Sequence, residues 1–420
     1  MISRRVLLRN GGMALLSLGF APAFVARTAA AGATRRKLLI TIFQRGAADG
    51  LNIVVPFAER DYYAARPTIA IAPPTRTAGG DGAALDLDGF FGLHPRLGPL
   101  LPLWQQRSLA IVHACGSHDP TRSHFDAQDY MESGTPGVKS TTDGWLNRVL
   151  RAERRPDASA TSPGSTPFRA VALGPQLPRT LQGTAPALAM TDVTRFGLRG
   201  GAGTQASFEA EYAAAADRVL QRTGQDAFDA MRQLDAAAPG RYQPANGAIY
   251  PRSAYGQALK QIAQLAKADV GLEIAFAESG QWDHHANEGA ANGQLGNRLD
   301  DFAQGIAALI TDLGSRMQDV VILTMSEFGR AVAENGNRGT DHGHANAMFI
   351  VGGPVKGGRV YGTWPGLAPA QRHEGRDLAV TTDFRDVFGE VAVRHLGVKD
   401  VRAVFPGYAV SASRFPGFLS

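Results

Sequence analysis

Residues 295–325 read LGNRLDDFAQGIAALITDLGSRMQDVVILTM. In the first part, leucine, isoleucine and phenylalanine recur three and four positions apart, which predicts a helix with one apolar stripe. Gly314 follows that stripe and suits the end of a helix. The second part, 319–325, is a short run of Val, Ile and Leu, which is typical of a strand buried on both faces. A helix that leads directly into a buried strand indicates an α/β fold.

Similar apolar runs recur along the chain, and helical patterns lie between them. Further strands are predicted at 37–43, 108–113, 169–173, 271–276 and 347–351. Further helices are predicted at 123–132, 208–235, 253–267 and 383–396. This alternation predicts an α/β fold with a mostly parallel central sheet and helices on both faces. The long helical stretch at about 207–268 is expected to be a cap or insertion.

The N-terminus carries the pattern of an export signal. Arg4 and Arg5 form a twin-arginine pair, 12–25 is apolar, and small alanines follow at 29–31. We expect the twin-arginine export machinery to recognise this segment, with cleavage near Ala31 and a periplasmic or secreted product. A membrane anchor is the alternative, but the apolar run is short for a span and contains Pro22. Residues 32–420 are then expected to form a single domain, with no transmembrane segment.

Composition excludes some classes of function. Residues 1–31 contain four arginines and no acid, so without them the formal charge falls from +5 to +1. The basic character therefore gives no support to nucleic-acid binding. Cys115 is the single cysteine, which excludes an intramolecular disulfide and fits a small apolar residue at a strand end.

Acids and histidines concentrate in the loops beside the predicted strands. In an open parallel sheet, ligands bind where strands deliver their C-terminal ends. Carboxylate and imidazole together suit Zn, Mn or a similar divalent ion, whereas Mg or Ca would depend more on the carboxylates. One or two ions are expected. The candidate metal ligands are Asp49, Asp283, His285, Glu327, Asp341, His342 and His344.

Several of these residues have a simpler alternative role. Asp49 could cap a turn, and Glu327 could form a local ion pair with Arg330. Asp283 and His285 lie two apart and would share a face in an extended segment. The Asp-His-Gly-His sequence at 341–344 is the strongest single cluster and favours a metal or anion site.

Ser123 and Arg122 are the candidate catalytic residues. Ser123 precedes a predicted helix, where it could simply be the N-cap. The same position would place its hydroxyl at a helix N-terminus, a favourable place for an anion, and Arg122 could bind an oxyanion. A neighbouring metal ion would activate the hydroxyl as a nucleophile. The motifs H-E-x-x-H, G-x-x-x-x-G-K-[ST] and G-x-S-x-G are absent from the sequence.

Long phrases of the sequence resemble one family. They are FQRGAADGLNIVVPF (43–57), TRSHFDAQDYMESG (121–134), WDHHAN (282–287), the block from SEFGR to DHGH (326–344) and TTDFRDVF (381–388). They resemble secreted bacterial proteins that carry the domain of unknown function 1501. That family looks like a remote branch of the alkaline phosphatase and sulfatase superfamily.

The resemblance implies roles for individual residues. The superfamily places an Asp after the first strand, which Asp49 matches, and a nucleophile at a helix N-terminus, which Ser123 could match. Asp283 and His285 resemble the Asp and His of one metal site. Glu327 falls where an Asp-His pair usually ends a strand, and the histidine at 342 or 344 could be the final ligand.

The sequence departs from the superfamily pattern in two places. Phe328 stands where a His is usual, so one metal site is expected to be incomplete or rebuilt from Asp341. The C-x-P-x-R motif is missing, so a formylglycine sulfatase is not expected. The sequence therefore predicts an exported metal-dependent hydrolase of a small phosphate or sulfate ester. The alternative is a catalytically degenerate member that acts as a binding or assembly protein in the cell envelope.

Overall fold

The computed structural model describes residues 36–75, 82–152, 167–195 and 242–420. The described residues from Lys37 onward belong to one compact unit. The predicted export signal at 1–31 and the predicted helix at 208–235 lie outside the described residues, as does most of the proposed cap. No described helix has the length and apolar character needed to cross a membrane.

Fourteen strands are assigned within the described ranges. They are β1 (Leu38–Gln44), β2 (Val54–Val55), β3 (Leu85–Asp86), β4 (Gly92–Leu93), β5 (Leu109–Gly116), β6 (Ala170–Leu173), β7 (Leu188–Met190), β8 (Ile274–Ser279), β9 (Val320–Met325), β10 (Arg330–Glu334), β11 (Thr340–His342), β12 (Asn346–Gly352), β13 (Arg359–Tyr361) and β14 (Thr382–Asp383). The six strands predicted from the sequence correspond to β1, β5, β6, β8, β9 and β12, each within a few residues of the expected bounds.

The helices lie between these strands. They are α1 (Gly50–Ile53), α2 (Arg60–Ala65), α3 (Leu101–Gln105), α4 (His124–Ser133), α5 (Trp145–Ala152), α6 (Ala254–Lys267), α7 (Gln294–Leu313) and α8 (Phe384–Glu390). Short 3-10 turns occur at Pro95–Leu100, Pro167–Arg169, Arg179–Leu181, Val193–Arg195, Gly314–Asp319, Pro369–Gln371, Val401–Ala403 and Ala412–Arg414, and a π-helical turn at Val391–His395. The π-helical turn continues α8, so the predicted helix at 383–396 is present but changes its winding after Glu390.

The main sheet has the strand order β13-β5-β12-β9-β1-β8-β6-β7, and β14 also pairs with β5. β1 lies at its centre, parallel to both β8 and β9. Side chains of β1 alternate between two apolar cores, because successive residues of a strand point to opposite faces. Leu38, Ile40 and Ile42 belong to one core, whereas Leu39 and Phe43 belong to the other. This two-sided burial confirms the predicted α/β fold with a mostly parallel sheet.

The stripe of α7 packs into the first of these cores. Leu299, Phe302 and Ile306 have no exposed surface, and the Phe302 ring packs edge-on to Trp282 with centroids 5.7 Å apart. Gly314 caps the helix at a φ of 51°, a conformation that glycine adopts without steric cost. The predicted helix and its stop are both confirmed.

β12 is the exception to the parallel sheet. It pairs antiparallel with β5 on one side and with β9 on the other. Its N-terminal end therefore lies at the same edge as the C-terminal ends of the parallel strands. The sequence 341–344 leads into this end, so the reversal of one strand brings that segment to the edge where the other polar loops lie.

Candidate metal centre

Three imidazoles surround one carboxylate at this edge of the sheet. Donor atoms of His124, Asp283 and His342 all lie within 4.8 Å of one another. Nε2 of His124 is 3.5 Å from Asp283 Oδ2, and Nε2 of His342 is 3.4 Å from Asp283 Oδ1. His285 joins them, with its Nε2 3.0 Å from Asp283 Oδ1. We call these four residues the donor cluster.

The other ring nitrogen of two of these histidines is held by an acceptor. His124 Nδ1 lies 2.8 Å from Glu327 Oε1, and His342 Nδ1 lies 2.8 Å from the carbonyl oxygen of Arg122. A carbonyl only accepts, so His342 donates from Nδ1 and its Nε2 carries a lone pair. An acceptor on the far nitrogen is the usual arrangement for a metal-binding histidine, because it fixes the tautomer and the ring orientation.

The ring of His285 also has an acceptor near its Nδ1, but at a longer distance. Its Nδ1 is 3.5 Å from Asp341 Oδ1. Asp341 also accepts a hydrogen bond of 3.0 Å from Asn335 Nδ2, and this bond, with help from His285, lowers the pKa of the Asp341 carboxyl. The predicted ligand Asp341 thus contacts the far nitrogen of His285 and does not belong to the donor cluster.

The donor cluster fits a divalent cation. His285 Nε2 and His342 Nε2 face each other at 2.9 Å. Both nitrogens also lie beside the Asp283 carboxylate, and in both rings Nδ1 faces an acceptor oxygen. His124 Nε2 is buried without a hydrogen-bond partner. Several lone pairs facing one point repel each other unless a cation lies between them. Three nitrogens and one oxygen form a donor set typical of zinc and other transition metals.

Arg330 holds the carboxylate of the donor cluster in place. Its guanidinium is buried and donates to Asp283 Oδ1 at 2.6 Å. It also donates to the carbonyls of Gly46 at 2.5 Å, Ala47 at 2.6 Å and Thr340 at 3.0 Å. Burial raises the pKa of Asp283, but the hydrogen bond and charge of Arg330 outweigh it and keep that pKa below its usual value. The local Glu327–Arg330 pair considered from the sequence is replaced by this contact.

Glu327 performs the corresponding role for His124. Its Oε1 accepts from Gly46 N at 2.9 Å and from Gln128 Nε2 at 2.8 Å, as well as contacting His124. Burial raises the pKa of Glu327, but these hydrogen bonds, led by that of His124, lower it overall. The predicted ligand Glu327 therefore lies behind the histidine and does not belong to the donor cluster.

Two glycines allow these loops to come together. A Cβ on Gly46, whose φ is +116°, would lie 2.8 Å from the backbone nitrogen of Asp283. A Cβ on Gly343 would lie 2.2 Å from the backbone carbon of Arg330. Both distances are too short for a side chain, so the residue between His342 and His344 has to be glycine for the loops to pack as they do.

An apolar ring packs against the histidines. Phe328 is 4% exposed, stacks on His124 with centroids 5.0 Å apart and lies 5.1 Å from the ring of His342. It fills the position where the family resemblance leads one to expect another histidine. The rings of the donor cluster are thus held by packing on this side.

The two candidate catalytic residues lie directly before His124. Ser123 Oγ accepts a long hydrogen bond of 3.5 Å from Asp126 N, so the serine is the N-cap of α4. The Arg122 guanidinium contacts Asp377 and Glu374, each at 2.7 Å. The structure therefore places Ser123 beside the cluster in the chain and gives Arg122 two carboxylate partners.

Asp49 and His344 lie apart from the donor cluster. Asp49 forms a buried ion pair with Arg66, at 2.5 and 3.0 Å through the two guanidinium nitrogens. His344 stacks on His373 with centroids 4.1 Å apart and lines a small cleft beside Glu327. Burial lowers the pKa of His344 to about 4, so the ring is neutral.

Sequence reasoning did not select His124 or Arg330 for the site. His124 belongs to the polar loop 118–124 after β5. Its position after a predicted strand could therefore have indicated that it lies at the site. Arg330 gave no signal, because its guanidinium binds four backbone carbonyls and one carboxylate, and all of these except the carbonyl of Thr340 lie far away in the chain.

Comparison with known proteins gives one family and distant structural neighbours. A family model described as "Protein of unknown function (DUF1501)" matches residues 110–404. No curated protein matches the sequence. The structures similar to this one include the sulfatase PsFucS1 from Pseudoalteromonas sp., with 12% identity, a TM-score of 0.42, and coverage of 94% of this chain and 75% of that one. They also include the phosphonate monoester hydrolase of Agrobacterium radiobacter, with 10% identity, a TM-score of 0.29, and coverage of 89% and 78%.

Proposed function

This chain belongs to the DUF1501 family of proteins of unknown function, and on that premise we propose that it is a divalent-metal-dependent hydrolase of a phosphate or sulfate ester. The observation that carries the proposal is the convergence of three imidazole Nε2 atoms on the carboxylate of Asp283. Such a donor set needs a cation, and it lies at the edge where α/β sheets bind their ligands.

His124, Asp283, His285 and His342 would hold the ion. Three imidazoles favour Zn or Mn over Mg or Ca, which prefer oxygen ligands. A bound ion would supply Lewis-acid polarisation of the ester oxygens. Side-chain exposure of 44% at Asp283 and at His285 leaves this side open to a small substrate.

The chain's own residues fix the geometry before substrate arrives. Arg330 fixes Asp283, Glu327 fixes His124, and the carbonyl of Arg122 fixes His342. Groups fixed in advance need no reorganisation during reaction, which is the main source of electrostatic catalysis.

Ser123 is the proposed nucleophile, because it directly precedes the cluster residue His124 in the chain and lies at the N-terminus of α4. Its Oγ would form a bond to phosphorus or sulfur while the bond to the leaving alkoxide breaks, and the Oγ proton would pass to solvent. Water would then cleave the Ser123 ester, release phosphate or sulfate and restore the hydroxyl. The Arg122 guanidinium already binds Asp377 and Glu374, so Arg122 is given no role in binding the substrate anion.

A metal-binding protein without turnover is the second candidate. The observations that favour it are the capping bond of Ser123 and the two carboxylates that occupy Arg122. Such a protein would bind one ion and act as a binding or assembly partner in the cell envelope.

Metal analysis together with an ester panel separates the two. The hydrolase predicts about one tightly bound divalent ion per chain, turnover of phosphate or sulfate esters, and loss of turnover in Ser123→Ala with the ion retained. One bound ion without turnover of any ester supports the second candidate. A Ser123→Ala variant with full turnover removes the serine from the mechanism, and failure to bind any ion contradicts both candidates.

The proposal includes export by the twin-arginine route to the periplasm, from the Arg4-Arg5 pattern and the apolar run behind it. Replacement of both arginines by lysine should retain the chain in the cytoplasm, as measured by cell fractionation. Normal export of that variant would contradict the route.

A further inference from the structure

We propose that the site selects an ester with a single negative charge, a sulfate monoester or a phosphate diester, over a phosphate monoester, whose charge approaches two at neutral pH. This inference rests on the proposed hydrolase function. It comes from the balance of fixed charges on the residues that contact the donor cluster and on the ion-pair partners of those residues.

The inner charges leave one negative charge. Asp283 and Arg330 form an ion pair at 2.6 Å and cancel. The partners of Glu327 are the neutral amide of Gln128, the hydroxyl of Ser326, a backbone N–H and the imidazole of His124. No described residue supplies a guanidinium or an ammonium to Glu327, so its charge remains.

The charged residues around the donor cluster, Asp341, Arg376, Arg122, Asp377 and Glu374, add a second negative charge. Asp341 lies beside His285, and Arg376 donates to the carbonyl of His342 at 2.8 Å, so this acid and this base offset each other. Arg122 offsets one of its two carboxylate partners, Asp377 and Glu374. One negative charge is left over.

The five carboxylates and three guanidinium groups therefore give a formal charge of −2 before any ion binds. One divalent ion brings the site to zero. Each of the three guanidinium groups already lies within 4 Å of a carboxylate, at 2.6 Å for Arg330, 2.7 Å for Arg122 and 3.5 Å for Arg376. A bound dianion would therefore leave the loaded site with a net charge of −2, whereas a bound monoanion would leave it with −1. The monoanion leaves less negative charge uncompensated, so we expect it to bind more tightly. Discrimination by charge that is left uncompensated is a common basis of specificity.

A binding comparison tests the inference without turnover. The full chain is loaded with cobalt(II), whose visible spectrum changes when an anion binds, and is titrated at about pH 8, where phosphate monoesters are dianionic. The probes are methyl sulfate, dimethyl phosphate and methyl phosphate. We expect at least one monoanion to bind about tenfold or more tightly than methyl phosphate. Tighter binding of methyl phosphate, or binding of none of the three, overturns the inference.

A charge variant gives a second readout. Glu374 is 55% exposed and contacts no member of the donor cluster in the structure, so Glu374→Gln removes one negative charge while Asp377 still binds Arg122. We expect the ratio of kcat/KM for the dianion 4-nitrophenyl phosphate to kcat/KM for the monoanion bis(4-nitrophenyl) phosphate to rise severalfold over the wild-type ratio. The different intrinsic reactivities of the two esters cancel, because the same two esters are compared in both proteins. Asp269→Asn, an exposed acid before the opposite end of β8, is the matched control and should leave the ratio unchanged.

The outcomes separate this inference from the proposed function. If the loaded chain hydrolyses esters but prefers the dianion, or if Glu374→Gln leaves the ratio unchanged, the charge argument fails and the hydrolase stands. If the chain binds monoanions selectively but hydrolyses no ester, the site's charge preference stands and the hydrolase fails.

Discussion

Nε2 of His285 and Nε2 of His342 face each other across 2.9 Å, from loops separated by 57 residues. Two neutral imidazoles cannot satisfy each other in this way while both donate from Nδ1 to an acceptor. The contact is stable when a cation lies beside both nitrogens, so this pair is direct support for the candidate metal centre.

Removal of one of these imidazoles should abolish tight metal binding. We expect His342→Ala to weaken zinc affinity by at least about 100-fold, because it removes a ligand and also the contact with the Arg122 carbonyl. Titration calorimetry with zinc measures the effect. His118→Ala, which changes an exposed histidine of the loop that precedes His124, is the control and should bind as wild type. Equal affinities in the two variants would contradict the assigned site.

Glu327→Gln tests the residue behind the donor cluster. The carboxylate accepts from His124 Nδ1 at 2.8 Å, and an amide there lowers the basicity of the imidazole. Loss of such a partner costs about 10- to 100-fold in metal affinity. The fold should persist, because a glutamine oxygen can still accept from Gly46 N. An unchanged zinc affinity would show that Glu327 has no part in the site.

The buried pair of Asp49 and Arg66 should govern stability and not metal binding. Asp49→Asn leaves the fully buried guanidinium without its counter-charge, and we expect a loss of about 3–5 kcal/mol in the free energy of unfolding. Urea denaturation of the metal-free chain measures it. If Asp49→Asn weakened zinc binding without lowering the free energy of unfolding, Asp49 would be a metal ligand and the structural role would be wrong.

Glu288→Gln is the matched comparison for that variant. Burial, reinforced by the nearby charge of Asp49, raises the pKa of Glu288 well above its usual value, which favours the neutral carboxyl in the folded chain. A neutral amide in its place should change the free energy of unfolding far less than Asp49→Asn does. A loss as large as that of Asp49→Asn would mean that Glu288 is ionised.

Acid should destabilise the fold through three buried histidines that do not belong to the donor cluster. His94 and His113 each accept a backbone N–H at Nδ1 and contact a carbonyl through Nε2, so both nitrogens are occupied in the neutral ring. His395 contacts the carbonyl of Leu38. Burial lowers the pKa of all three to about 4.

The sign of the pH dependence follows from these values. Between about pH 6.5 and pH 4 the unfolded chain binds a proton at each histidine and the folded chain does not, so stability is lost as the pH falls. Each histidine contributes a slope of about 1.4 kcal/mol per pH unit. Urea denaturation across this range, with a chelator present, measures the slope. His395→Gln should reduce it, and a free energy of unfolding that is flat below pH 6.5 would contradict the assignment.

Apolar periodicity predicted the strands because it records how each segment is buried. The runs at 37–43 and 319–325 became β1 and β9, and the stripe at 295–313 became α7. Periodicity also located the polar loops, and three of the candidate ligands in them, Asp283, His285 and His342, lie together in the structure. It had no means to show that Asp49 finds Arg66 or that His344 stacks on His373, because each acid or histidine in a loop has the same appearance in sequence.

By itself, then, the sequence determined an α/β chain whose acids and imidazoles gather in the loops beside its strands. The tertiary structure decided that β12 runs against its neighbours, which brings 341–344 to the edge with the C-terminal ends of β1, β5, β8 and β9. It also decided that His124 completes the donor cluster and that Glu327 and Arg330 stand behind it. The physical reason is that burial is a property of each segment, whereas the partner of a polar side chain depends on which segments approach, and His124 and Glu327 meet across 203 residues.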